Sequence, residues 1–186
     1  MNSLLIVILL SFTTGCLSSF KVTGYSGGTV IIYCHYSTEE RSDHQTTDRQ
    51  DEGTYWCGVD KPTIPDSYTE VELDVKEDDC CEKSVTETAY LGGEATIRCN
   101  YPEDHEDSIK YFCKESNDFN TCIYMIFAYQ TTAKAGRFSV SDNTGEKSYT
   151  VTISDLTEDD TGTYWCGVVT SYISLITQVQ LHVTGK

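Results

Sequence analysis

A chain of 186 residues with nine cysteines, thirteen tyrosines and only three prolines has room for two β domains of roughly 100 residues and reads as a disulfide-bonded extracellular protein rather than a cytosolic enzyme. Its net charge of −16 leaves no basic surface to exchange for phosphate counterions, so nucleic acid is excluded as a partner, and docking on anionic lipid by charge alone is disfavoured. The acidity is first of all a source of solubility.

The chain opens on an unbroken apolar run from Leu4 to Leu10, extended to Phe12 with one Ser and followed by Thr13-Thr14-Gly15. This is shorter than the ~20 residues of a membrane span and reads as a signal peptide over residues 1–18. Cleavage after Ser18 discards Cys16. No later stretch is apolar enough to span a bilayer, so the chain reads as an ectodomain, secreted or cut off before an anchor.

Gly24-Tyr25-Ser26-Gly27-Gly28-Thr29-Val30-Ile31-Ile32-Tyr33-Cys34 is a Gly-Gly turn leading into a strand that alternates toward its cysteine. Further on, Asp51-Glu52-Gly53-Thr54-Tyr55-Trp56-Cys57 carries a Tyr two residues before a Cys, behind Asp-x-Gly. That is the spelling of the tyrosine corner of an immunoglobulin sandwich. Both stretches recur, as Ala89 to Cys99 and as Asp160 to Cys166, so the chain contains an internal repeat.

The two copies differ in what lies between their cysteines. From Ser37 to Gln50 the first copy is polar, with no pattern for strands C, C′, D or E. Strands B and F and a strand G through Val71, Leu73 and Val75 remain. Residues 19–77 are therefore read as a truncated immunoglobulin-like remnant, with Cys34 and Cys57 as its disulfide and too little opposite layer for firm stability.

Residues 78–83, with two adjacent cysteines among charges, form the linker. Cys80 and Cys81 could bond to each other, to another chain, or to partners lost with the missing segment. A metal site there lacks His ligands and CxxC spacing.

Residues 84–186 hold a complete copy. Cys99 and Cys166 bridge the two sheets, Gly162 permits the tight corner, and the Tyr164 hydroxyl ties that corner to the backbone. Phe112 takes the core place of the strand-C Trp and faces inward. Cys113 then faces outward, where it can bridge to Cys122 on strand C′. Residues 137–142 and 148–153 alternate around Asn143-Thr144-Gly145 as a hairpin, Leu156 packs beneath the corner, and Val179, Leu181 and Val183 point inward on strand G. The fold class is all-β, an immunoglobulin V-type β-sandwich preceded by the truncated remnant. In such a domain Arg137 is expected to meet Asp160 across the foot of the sandwich. The four histidines, His35, His44, His105 and His182, fall in no catalytic, zinc or nucleotide motif, so an enzyme, a cofactor and a metal are not expected.

Taken together, the Gly-Gly turn before strand B, Lys110-Tyr111-Phe112-Cys113-Lys114, Arg137-Phe138-Ser139-Val140, Asp142-Asn143 and Tyr164-Trp165-Cys166-Gly167-Val168 resemble the V-set domains of the polymeric immunoglobulin receptor and the CMRF-like leukocyte receptors. The extra cysteine pair on strands C and C′ is the sharpest point of likeness. The resemblance implies the ectodomain of a cell-surface immune receptor, at the plasma membrane or secreted. It also implies a protein or phospholipid ligand and a signalling adaptor reached through a membrane segment beyond Lys186. A soluble decoy or an adhesion module would share the same sequence.

Binding is expected on loops. The B–C loop offers Asp104, Glu106 and Asp107, whose oxygens could hold Ca²⁺ for a phospholipid headgroup. Tyr129 belongs near the C′–C″ turn, and the uncharged stretch after Cys166 offers Tyr172, Ile173 and Leu175. Either these apolar residues form a ligand tip, or Ile173 and Leu175 pack into the strand pair. Trp165, pointing away from the core, could anchor a contact or rest on the neighbouring bridge.

Overall fold

The computed structural model describes residues 4–6, 19–32, 45–47, 52–59, 67–77, 80–81, 83–116 and 122–185. The chain falls into two units. The first comprises Met1–Glu77 together with Tyr172–Ser174, and the second Asp78–Ser171 with Leu175–Lys186.

In the first unit the strands are β1 (Leu4–Ile6), β2 (Phe20–Tyr25), β3 (Thr29–Ile31), β4 (Gln45–Thr47), β5 (Gly53–Val59) and β6 (Ser67–Lys76). β6 is central to a three-stranded sheet, with β2 parallel on one side and β5 antiparallel on the other. Alternation sets the faces: Val71 and Leu73 are fully buried, whereas Glu72 and Asp74 between and beyond them are exposed. Val22, Val30, Ile32, Val71 and Leu73 form the core of the unit, with Phe20, Tyr55, Val75 and Tyr172 packed against it. The polar stretch read as strandless does contain one strand, β4, paired antiparallel with β1. The β-branched pair Thr46-Thr47 suits an extended backbone despite its polarity. Cys34 and the side chain of Cys57 lie outside the described residues, and so does their expected pairing. At the junction, Cys80 and Cys81 are bonded to each other.

The second unit contains β7 (Ser84–Tyr90), β8 (Ala95–Asn100), β9 (Ile109–Glu115), β10 (Cys122–Ala128), β11 (Thr132–Ala135), β12 (Phe138–Asn143), β13 (Ser148–Ile153), β14 (Gly162–Val169) and, from Leu175 on, β15 (Ile173–Thr184). A front sheet runs β10-β9-β14-β15, with β7 parallel to β15. A back sheet runs β11-β12-β13-β8. This is the V-type sandwich expected from the sequence, including the hairpin, whose strands β12 and β13 meet through a 3-10 turn at Thr144–Glu146. Inward alternation supplies the core: Ala95, Ile97 and Cys99 on β8, Val151 and Ile153 on β13, and Val179 and Leu181 on β15 are all buried.

A disulfide and a buried tyrosine are among the ties that cross from sheet to sheet. Cys99 and Cys166 are bonded, with their Cα atoms 5.7 Å apart. Beside them Tyr149, the register partner of Cys99, donates its hydroxyl hydrogen to the carbonyl of Tyr111 at 2.7 Å and accepts the N–H of Gly167 at 2.9 Å. Burial raises the Tyr149 hydroxyl far above the ordinary tyrosine range, which keeps it a donor at any accessible pH. Phe112 has no exposed surface and stacks on Tyr164 with ring centroids 5.2 Å apart, so the smaller ring fills the core place anticipated for it.

The corner follows the same logic. Tyr164 donates to the carbonyl of Asp160 at 2.8 Å. Gly162 sits at φ +151, a backbone conformation that other residues rarely adopt, so the turn favours glycine. The segment after Cys166 differs from the expected loop. β14 continues to Val169 and β15 starts at Ile173, so only a short turn separates them.

Candidate ligand-binding site

Register in the front sheet places Lys110 of β9 between Ala128 of β10 and Val168 of β14. The segment before β9, the turn after β10 and the turn after β14 therefore leave from one end of the sheet. The site is built at this end and on the sheet's outer face.

Lys110 organises the end. It shares the inward parity of Phe112, two residues on, and its side chain is 2% exposed. Its ammonium donates to the carbonyls of His105, Glu106 and Ser108 at 2.9, 2.8 and 2.8 Å. It also lies 3.3 Å from a carboxylate oxygen of Asp142 and 4.2 Å from the centre of the Tyr101 ring. Tyr101 completes the set by donating its hydroxyl hydrogen to Asp142 at 2.9 Å. Burial pulls the Lys110 ammonium below its ordinary range, and the Asp142 carboxylate opposes that pull. A desolvated cation needs this many partners. The consequence is a B–C segment fastened by its own backbone rather than a free acidic loop.

The acidic residues of that segment are partly engaged. Glu106 pairs with Lys147, and Asp104 lies 3.9 Å from the His105 ring. Among the described residues no three His, Cys, Asp or Glu side chains come together to hold a metal ion.

Tyr129, by contrast, is 75% exposed. It belongs to an aromatic ridge on the outer face. Tyr111 and Phe127 are register partners with ring centroids 4.9 Å apart, and Phe127 lies 5.3 Å from Tyr124 and 6.2 Å from Tyr129. Tyr124 is 63% exposed and Ile123 next to it 54%. A bulge between Tyr124 and Ile126 turns the strand so that Ile126 and Ala128 still face the core. Sequence reasoning reached Tyr129 but missed Tyr124 and Ile123. Their signal was available: Tyr124 and Phe127 on one short strand and Tyr129 directly after it crowd three aromatics at the sheet's rim.

Cys113 is bonded to Cys122. It lies on the outer face as its parity requires, yet it is fully covered, with Tyr124 and Trp165 as its register neighbours. Trp165 is half-buried and donates its indole N–H to Glu115 at 3.2 Å.

The residues proposed for an apolar tip after Cys166 are placed otherwise. Ile173 is 6% exposed and Leu175 2%, and Tyr172 packs in the first unit's core with its hydroxyl accepting the Thr23 N–H at 2.9 Å. Their lack of charge reflects packing.

At the opposite end Arg137 grips both carboxylate oxygens of Asp160 at 2.7 and 2.8 Å, and Thr157 closes a capping box with the same carboxylate. The guanidinium lowers the Asp160 carboxyl from 3.8 to about 2. Its folded value is depressed, so the associated stability is complete above pH ~4 and is lost as pH falls from there through 2. Arg137 is 37% exposed, which discounts the contribution to roughly 1–2 kcal/mol. Urea midpoints at pH 7, 4 and 2.5 should fall more steeply for the parent chain than for Asp160→Asn; parallel curves would contradict this assignment.

The family profile described as immunoglobulin V-set domain matches residues 82–184. The chain belongs to the immunoglobulin V-set family. Among curated V-set relatives it is 32% identical to mouse CMRF35-like molecule 2 over 88 residues, covering 46% of this chain and 44% of that protein. It is 29% identical to the mouse polymeric immunoglobulin receptor over 126 residues, covering 63% of this chain and 16% of the receptor. The chain thus spans less than half the length of these relatives. Of solved structures, the NK cell receptor Nkp44, whose title calls it a triggering partner in natural cytotoxicity, matches at 29% identity and a TM-score of 0.49, covering 55% of this chain and all of that one. The second immunoglobulin domain of the mouse polymeric immunoglobulin receptor matches at 26% identity and a TM-score of 0.46, covering 55% of this chain and 98% of that domain.

Proposed function

We propose that this V-set chain is part of the ectodomain of a cell-surface immune receptor of the polymeric immunoglobulin receptor and CMRF-like type, and that it binds a protein ligand through the front sheet of its second unit. The observation that carries the reading is the aromatic ridge. Tyr124, 63% exposed, lies on a strand clipped to its neighbour by a disulfide, and Tyr129, 75% exposed, directly follows that strand. Rigid, exposed aromatic rings are the residues that anchor protein interfaces, because they bury much area at little entropic cost. The fastened B–C segment, with Asp104 and Asp107, supplies an acidic border at the same end. Signalling through an adaptor by way of a membrane segment is carried over from the similarity to receptors. Among the described residues no helix is long and apolar enough to cross a membrane.

The test uses the full chain, biotinylated and tetramerised on streptavidin, to stain leukocytes before and after trypsin shaving. Staining should vanish on shaved cells and fall at least ~10-fold for Tyr124→Ala/Tyr129→Ala, at unchanged thermal stability. Staining that survives shaving would assign the ligand to lipid. Staining that survives the double substitution would remove the ridge from the site.

A further inference from the structure

We propose that the bond between Cys80 and Cys81 is a thiol–disulfide exchange site, opened by a dithiol reductant while the bridges of the sandwich stay closed. The disulfides among the described residues differ in what they close. Cys99–Cys166 spans 67 residues of sequence and Cys113–Cys122 spans 9. Each removes loop freedom from the unfolded chain, so each contributes to stability. Cys80 and Cys81 are adjacent, with their Cα atoms 3.7 Å apart, a spacing that the peptide between them already imposes. Their bond ties no two distant parts of the chain together.

Access separates the bonds as well. A reductant has to bring its thiolate to one of the two sulfurs. Cys99 and Cys113 have no exposed surface and Cys166 is 1% exposed, whereas Cys80 and Cys81 are both half-buried. Cys122 is half-buried too. Displacement there frees Cys113, however, in a ladder that holds β10 against β9, so the two cysteines stay in reach and the bridge closes again. The ring closed by Cys80 and Cys81 contains one planar amide and two short side chains. So small a ring has little freedom to relax, and strained or exposed disulfides are the labile ones.

The exchange runs in two displacements. The thiolate of the dithiol attacks one sulfur of the pair, forming a mixed disulfide and breaking the Cys80–Cys81 bond. The electron pair of that bond leaves on the other cysteine, which takes up a proton from water. The second thiol of the reductant, as its thiolate, then displaces the first cysteine, which is protonated in turn. The reductant departs as its own disulfide, and two adjacent cysteine thiols remain, the chain having gained two electrons and two protons.

The full chain, folded and at neutral pH, is treated with limiting dithiothreitol, alkylated with N-ethylmaleimide at intervals and mapped by mass spectrometry after trypsin. The peptide 77–83, which holds both cysteines, should gain two alkyl groups at least ~10-fold faster than the peptides carrying Cys99, Cys113, Cys122 and Cys166. The Cys80→Ser/Cys81→Ser variant should keep the parent Tm within about 2 °C. Three results would overturn the proposal. The first is alkylation of peptide 77–83 no faster than that of Cys113 and Cys122. The second is a larger fall in Tm for the double variant, which would make the bond a structural one. The third is a map of the untreated chain in which Cys80 or Cys81 is joined to another cysteine.

Discussion

Lys110→Met should destabilise the second unit by about 3–5 kcal/mol, the cost of leaving a buried carboxylate without its cation. The side chain of Asp142 is 7% exposed, and without Lys110 it keeps the Tyr101 hydroxyl as a donor but has lost its cation. Three carbonyls of the B–C segment lose their common donor as well. In a domain of this size the loss corresponds to a fall in Tm of roughly 12–30 °C. The double variant Lys110→Met/Asp142→Leu removes both charges and should recover at least half of it, because the stranded anion is the larger part of the cost. Thermal unfolding of the four corners of this cycle is the measurement. A single-variant loss below about 1 kcal/mol would show that water reaches the pair and that the segment is not clamped by it.

A second substitution separates the two readings of the stretch after Cys166. Leu175→Asp places a carboxylate where the side chain is 2% exposed and should cost more than about 4 kcal/mol. Tyr129→Asp, at 75% exposure, should change stability by less than about 0.5 kcal/mol while abolishing ligand capture. Urea unfolding of both variants settles the matter: a stable, soluble Leu175→Asp chain would return Leu175 to the surface.

Much of the fold was legible because it rests on short-range rules. The Asp-x-Gly-x-Tyr-x-Cys corner fixes a backbone turn, a hydrogen bond and a bridge within a few residues. Alternation fixed the inward faces of β8, β13 and β15. Even the long-range pair Arg137–Asp160 could be expected once the sandwich was recognised. The absence of charge between Val168 and Ile176 left two readings open, an apolar tip or packing into the strand pair, because an exposed apolar loop and a fully buried strand look the same by composition. Lys110 was given no role beyond its place in the strand-C motif, although it shares parity with Phe112, and Asp142 shares parity with Val140. Inward lysine opposite inward aspartate was the available signal for the clamp. The short strand Gln45–Thr47 could not be anticipated from its own residues, because its partner is Leu4–Ile6, far away in sequence.

The bridge between Cys113 and Cys122 carries a mechanical consequence. A ligand held by Tyr124 and Tyr129 pulls on the rim strand, which hydrogen bonds alone would let peel away residue by residue. Covalent attachment passes the load to β9 instead. Its hydrogen-bonded neighbour β14 carries the tension to Cys166, and from there it crosses to Cys99 in the opposite layer. Traction applied at the rim is thus borne by both sheets together, and the sandwich resists unzipping from its edge.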